Sequence, residues 1–269
     1  MTELDIPTTL GRLHVRTEGS GPAILMWPSL LMDGALWSAQ VEHFRDRFTV
    51  IAVDPPGHGA SEALTEPFTF EQCATVVCEV LDHLDIERAH VLGNSWGGMI
   101  GGTFAALHPE RVGVSVLMNA TASPAPLGQK LEYGLLLRTA SLLGGLRGPL
   151  MPSVLKAFLG PTSLKTRPAV VQHVRDTAGR NDISSAAWAV RSVVPRRPDQ
   201  RELFSTVSTP VLVVAGEEDA TFGLAETHAM ADAIPGSTYV VIDGAAHLAA
   251  LEAPAEVNRL VDEFIAAHP

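Results

Sequence analysis

His90-Val91-Leu92-Gly93-Asn94-Ser95-Trp96-Gly97 is the stretch that decides the fold. Its last five residues fit G-x-S-x-G, and their setting gives the pattern meaning. A short apolar run precedes them, and a Gly/Ala-rich helical pattern, Trp96 to Leu107, follows and stops before Pro109. A serine on a tight strand-to-helix turn takes strained backbone angles. Small residues must therefore stand two before and two after it. Gly93 and Gly97 do so, and the turn lifts the serine oxygen above the sheet in front of a helix N-terminus.

Outward from this elbow, apolar runs alternate with helical patterns. Strands are expected at Ala23–Trp27, Thr49–Val53, Ala89–Leu92, Val112–Met118, Val211–Ala215 and Tyr239–Ile242. Leu10 to Thr17 reads as an edge hairpin around Gly11. Helices are expected at Leu36–Phe44, Phe70–Leu84, Ala225–Ala233 and Ala255–Ala267. Short continuous β-branched runs between helices imply an α/β fold with a mostly parallel sheet covered on both faces. Ligands of such sheets bind at the carboxyl ends of the strands.

Residues 121–205 break the rhythm. They hold no clear strand run, many leucines, and helix breakers at Pro124, Pro126, Pro149, Pro152, Pro161, Pro168, Pro195 and Pro198. The segment reads as a helical cap inserted into a core formed by 1–120 and 206–269. Charge divides at the same points. The inserted segment holds 12 basic and 5 acidic side chains, whereas the remainder of this chain of net charge −11 carries a net −18. Cap arginines can be solvated, can dock the cap on an acidic core, or can meet an anionic substrate group. Arg191, Arg196 and Arg197 are the candidates for the last role.

Composition narrows the function classes. Hydrophobic residues form 46% of the 269 positions, as in a compact protein. The acidic balance argues against nucleic acid as a partner. No run approaches the ~18 apolar residues of a membrane span, and Met1 to Leu10 lacks the pattern of a signal peptide, so a cytoplasmic location is expected. Cys73 and Cys78 lie about 140° apart around one helix and read as two thiols, not a disulfide. No metal-binding spacing and no dinucleotide fingerprint appear, so no cofactor is expected.

A serine hydroxyl needs a base to become a nucleophile. His247, in Asp243-Gly-Ala-Ala-His247-Leu248, lies between the last strand and the last helix, on a loop at the serine's end of the sheet. His58 is its rival and is expected to shape a nearby turn. An acid must fix the imidazole tautomer. Asp219 follows strand Val211–Ala215, and the chain order Ser95, Asp219, His247 suits the strand-turn-helix serine. Glu217, Glu218 and Asp243 are its rivals. Acyl transfer also needs backbone N–H donors for the oxyanion. One is expected from Trp96, the other from the loop Trp27 to Met32.

Four motifs then stand in one order: the elbow, Asp54-Pro-Pro-Gly-His-Gly-Ala-Ser61, Gly216-Glu-Glu-Asp219 and Gly244-Ala-Ala-His247. In order and spacing they resemble the α/β-hydrolase superfamily over nearly the whole chain outside the cap. The resemblance implies an α/β-hydrolase fold and places Leu30 where an amide usually completes the oxyanion hole. Pro28-Ser29 stands where many members carry His-Gly. A Ser-Leu pair there is similar to the oxoadipate enol-lactonase branch, while Asn94 is similar to hydrolases that cleave C–C bonds of ring-fission products. The substrate stays open between these.

The reading is thus a serine carboxylesterase or lactonase. Ser95, His247 and Asp219 are its triad, the Leu30 and Trp96 amides its oxyanion hole, and Arg191 and Trp188 its substrate contacts. The alternatives are a C–C bond hydrolase of a diketone acid and a ligand-binding receptor with an idle triad. The expected partners are a small ester or lactone, anionic if the cap cations face it, and a second copy of the chain in a homodimer; neither nucleic acid nor a membrane is expected.

Overall fold

A computed structural model describes residues 1–148 and 150–269; Pro149, one of the breakers named above, lies outside the described residues. Eight strands form one sheet: β1 (Thr2–Thr8), β2 (Gly11–Glu18), β3 (Ala23–Trp27), β4 (Thr49–Val53), β5 (Ala89–Asn94), β6 (Val112–Met118), β7 (Val211–Gly216) and β8 (Thr238–Ile242). Their order is β1-β2-β4-β3-β5-β6-β7-β8. β1 and β2 pair antiparallel, β2 joins β4 antiparallel, and every later pairing is parallel. β3 and β7 are buried at every position, which is why they read as unbroken apolar runs.

The edge hairpin is longer than the sequence suggests. β1 reaches back to Thr2 and pairs Thr2 with Thr17 and Thr8 with Gly11. Only Ile6 of its residues is buried, so the strand carries no alternating apolar signal.

The core helices are α1 (Ser38–Phe44), α2 (Phe70–His83), α3 (Trp96–Leu107), α10 (Leu224–Asp232), α11 (Ala249–Glu252) and α12 (Pro254–Ala267). The pattern from Leu36 begins as a 3-10 turn, Gly34–Trp37, capped by the Asp33 side chain. Thr69 and Gln72 form a reciprocal cap at the start of α2. α2 packs on α3, and α1 packs on α12. Cys73 is buried and Cys78 half-buried on α2; both are free thiols, and burial raises both pKa values.

Between β6 and β7 stand α4 (Leu127–Leu143), α5 (Leu150–Phe158), α6 (Pro161–Thr166), α7 (Pro168–Arg180), α8 (Ile183–Val193) and α9 (Arg201–Phe204). Several of the prolines lie at starts, where a missing N–H costs nothing: Pro161 opens α6 and Pro168 opens α7. Among the described residues no helix is long and apolar enough to cross a membrane. No group of three or more His, Cys, Asp or Glu side chains among them could hold a metal ion.

Candidate active site

Ser95 follows β5 with φ 57° and ψ −112°, a left-handed conformation rare for a residue with a Cβ. Its N–H donates to the Met118 carbonyl at 2.7 Å. The glycines explain how the turn closes. A Cβ on Gly93 would stand 2.1 Å from the Gly97 carbonyl oxygen, and one on Gly97 would stand 1.9 Å from that of Trp27. The other pair serves packing: Gly101 lies against Leu117 of β6, and Gly102 against the Phe204 ring of α9.

His247 and Asp219 meet the serine from two loops at the carboxyl ends of β8 and β7. His247 Nε2 lies 2.8 Å from Ser95 Oγ, and Nδ1 lies 2.9 Å from Asp219 Oδ2. All three side chains are buried. Asp219 Oδ1 accepts the N–H groups of Thr221 (2.8 Å) and Phe222 (3.1 Å), and Oδ2 also accepts from Asn119 Nδ2 at 3.1 Å. The carboxylate is therefore fixed in orientation before any substrate arrives. The imidazole is held between two rings, stacked on Phe158 at 5.7 Å and tilted against Phe222 at 5.5 Å.

The rival acids are occupied elsewhere. Glu217 accepts the Gly244 N–H, Glu218 accepts the N–H and hydroxyl of Thr162, and Asp243 is exposed.

A layer not foreseen from the sequence braces the histidine loop. Glu252 Oε1 accepts the N–H groups of Ala246 (2.9 Å) and Leu248 (3.1 Å), the two residues flanking His247. Its Oε2 accepts the Ser163 hydroxyl of α6. Burial raises the Glu252 pKa, opposed by these hydrogen bonds. Asn94 Nδ2 donates to the His247 carbonyl at 2.8 Å, and Asn119 Nδ2 to that of Ala246 at 2.9 Å. Arg167 Nη1 donates to the Gly244 carbonyl and to Ser163 Oγ, each at 2.7 Å. The only hint in the sequence was an acid five residues beyond the histidine, on the next short helix.

The loop after β3 turns at Leu31, whose φ is 64°. Its N–H donates to His58 Nε2 at 3.0 Å, while His58 Nδ1 lies 3.0 Å from the Pro56 carbonyl. His58 therefore carries its proton on Nδ1, and burial lowers its pKa. Asp54 anchors the same region by accepting from Gly34 N–H at 2.8 Å, Ala60 N–H at 2.9 Å and Arg16 Nη2 at 3.1 Å. With the Leu31 amide committed to His58, those of Leu30 and Trp96 have no protein acceptor among the described residues. The Trp96 ring is fully buried, stacked on Phe68 at 5.3 Å.

A cavity of about 220 Å³ opens beside this loop, lined by Leu30, Leu31, Tyr133, Leu137, Val154 and Phe158. Glu132 and Ser153 are its other polar neighbours, and no cation lines it among the described residues. Arg191 stands elsewhere. It is exposed, lies 4.7 Å over the half-buried Trp188 ring, and lines a surface cleft with Lys130, Arg138 and Leu142. Arg196 is exposed. Arg197 is buried, donates Nε to the Ser123 carbonyl at 2.8 Å, and lies 5.3 Å over the Phe222 ring. The structure thus gathers Ser95, Asp219, His247 and the Leu30 loop at one place, and Arg191 and Trp188 at another.

Comparisons with known proteins agree with the fold. The family model described as alpha/beta hydrolase fold matches residues 22–254. The chain is 27% identical over 241 residues to a 3-oxoadipate enol-lactonase of Acinetobacter baylyi, covering 90% of this chain and 87% of that one. It is 29% identical over 258 residues to a 2-hydroxy-6-oxononadienedioate/2-hydroxy-6-oxononatrienedioate hydrolase of Burkholderia vietnamiensis, covering 93% and 86%. A solved thermophilic esterase from Thermogutta terrifontis superposes with a TM-score of 0.91 at 26% identity, covering all of both chains.

Proposed function

The chain belongs to the α/β-hydrolase family, and from that premise we propose that it hydrolyses a small carboxylic ester or lactone through an acyl-enzyme on Ser95. The observation that carries this reading is the continuous line from Ser95 Oγ through His247 to Asp219, at 2.8 and 2.9 Å. Ser95 Oγ attacks the carbonyl carbon as its proton passes to His247 Nε2. Asp219 accepts from Nδ1–H and stabilises the imidazolium. The Leu30 and Trp96 amides receive the oxyanion. On collapse the leaving alkoxide takes the proton from Nε2; in a lactone it stays tethered to the acyl group. Water then attacks the acyl-enzyme, gives its proton to His247, and releases the acid as Ser95 recovers its own.

Residues 121–205 act as the cap in this reading, closing an apolar chamber over the oxyanion loop. Its lining favours an uncharged acyl or alcohol group, because no cation meets a carboxylate there. The C–C cleavage reading has less support. Asn94, which suggested it, donates Nδ2 to the His247 carbonyl.

Intact-mass spectrometry after incubation with a fluorophosphonate tests the proposal. One adduct on the wild type, absent from Ser95→Ala, is the expected result, with turnover of a simple ester falling by several orders of magnitude. An adduct that persists in Ser95→Ala, or near-normal turnover by that variant, overturns it.

A further inference from the structure

On the outer face of α4, Leu127, Leu131, Leu135 and Leu142 are 72%, 70%, 67% and 88% exposed. At 3.6 residues per turn they fall within about 80° of one another around the helix axis. An apolar stripe of this kind on a helix that lies at the protein surface marks an interaction site. Beside it runs the shallow cleft between α4 and α8, lined by Lys130, Arg138, Ser141, Leu142 and Arg191. No acid lines that cleft, and none of its three cations is ion-paired among the described residues. Arg147, just beyond the end of α4, is exposed too.

We infer that this face of α4 and α8 docks the enzyme on an anionic phospholipid surface, the leucines entering the acyl boundary and Lys130, Arg138 and Arg191 meeting headgroup phosphates. The site is independent of what Ser95 does. Lys130 flanks the stripe, about 60° from Leu127, while Arg138 lies within it, its long stem able to carry the guanidinium out to the headgroups; Glu132, on the other flank, lines the chamber instead. An apolar helix face with such cations is the arrangement of a helix lying in a membrane interface, and basic side chains near such a surface are attracted within a screening length.

Charge separates this occupant from a second copy of the chain. The net charge of −18 outside residues 121–205 belongs to the other part of the molecule. At ~0.1 M salt the screening length is about 10 Å, so the surface responds chiefly to the charges nearest it. An isologous dimer across α4 would set the cations of one protomer against those of the other.

Co-sedimentation of the full chain with vesicles tests the inference, using phosphatidylcholine alone and phosphatidylcholine mixed with phosphatidylglycerol. The wild type is expected to bind the mixed vesicles at least tenfold more tightly, with the difference collapsing at ~1 M salt, where screening shortens to about 3 Å. Leu131→Ser/Leu135→Ser and Lys130→Glu/Arg138→Glu should each lose at least tenfold in vesicle binding. Both should keep wild-type melting temperature and turnover of a water-soluble ester, since these side chains are exposed. Equal binding to both vesicle types, or none to either, overturns the inference. So does a concentration-dependent dimer in light scattering that Leu131→Ser/Leu135→Ser abolishes, because the stripe is then covered by another protomer.

Discussion

Ser95 holds a backbone conformation that costs about 1–3 kcal/mol for a residue with a Cβ. Its neighbours are built around that cost: two glycines allow the turn, and Met118 takes its N–H. His58 does a quieter task at the same scale. Its neutral Nε2 accepts the Leu31 N–H and so fixes the loop that carries the Leu30 amide. Burial lowers the folded-state pKa of His58 below the ordinary ~6.5. The stability that its neutral form contributes is complete above ~6.5 and is lost as pH falls through the folded value. Thermal melts of wild type and His58→Gln from neutral pH downward should show the wild type losing stability more steeply. A parallel pH dependence in the two proteins would refute the assignment. Substituting His58 by Ala should also lower turnover, by up to the ~10²-fold that one oxyanion donor is worth, because Leu30 loses its anchor.

At the scale of elements, the histidine loop is supported from the helix that follows it. Glu252 on α11 holds the amides on both sides of His247 and takes a hydroxyl from α6. Glu252→Ala should reduce kcat by about 10²-fold with little change in KM, the loss expected when a reacting group is misplaced by ~1 Å. Glu252→Gln keeps an acceptor oxygen and should recover most of that turnover. Equal loss in both variants would mean that the charge, not the bracing, is what counts. The sequence held only the spacing of Glu252 from His247 as a hint, and an acid on a short helix looks like any surface residue. The elbow was legible because a Cβ on either Gly93 or Gly97 would collide with backbone at about 2 Å. Strand β1 was not, because one buried residue in seven leaves no period to detect. Leu30 came from the resemblance, and its neighbours' hydrogen bonds fit that placement. Arg191 and Trp188 came from charge and composition, which do not say which side of a helix faces a pocket.

Over the whole molecule, in the proposed reading, chemistry and selectivity come from different stretches of chain: Ser95, Asp219 and His247 stand on loops after β5, β7 and β8, whereas most of the chamber wall comes from residues 121–205. A panel of esters with matched leaving groups should therefore rank neutral acyl chains above carboxylate-bearing ones by at least tenfold in kcat/KM. Faster turnover of the charged members would place a cation, with Arg197 the nearest candidate, in contact with substrate. The division is not complete, however, because α6 belongs to both parts. Thr162 binds Glu218, Ser163 binds Glu252, and Arg167 binds the Gly244 carbonyl. A swing of residues 121–205 as one plate would have to tear out these bonds and the brace of His247 with them. Opening on the α4 side alone breaks none of them, whereas α5 is tied down by Phe158 on the His247 ring and by the Ala157 carbonyl, which accepts from Thr221. The molecule is riveted at its midpoint, so traffic in and out can pass one leaf of the cover while the base and its acid stay aimed at the serine.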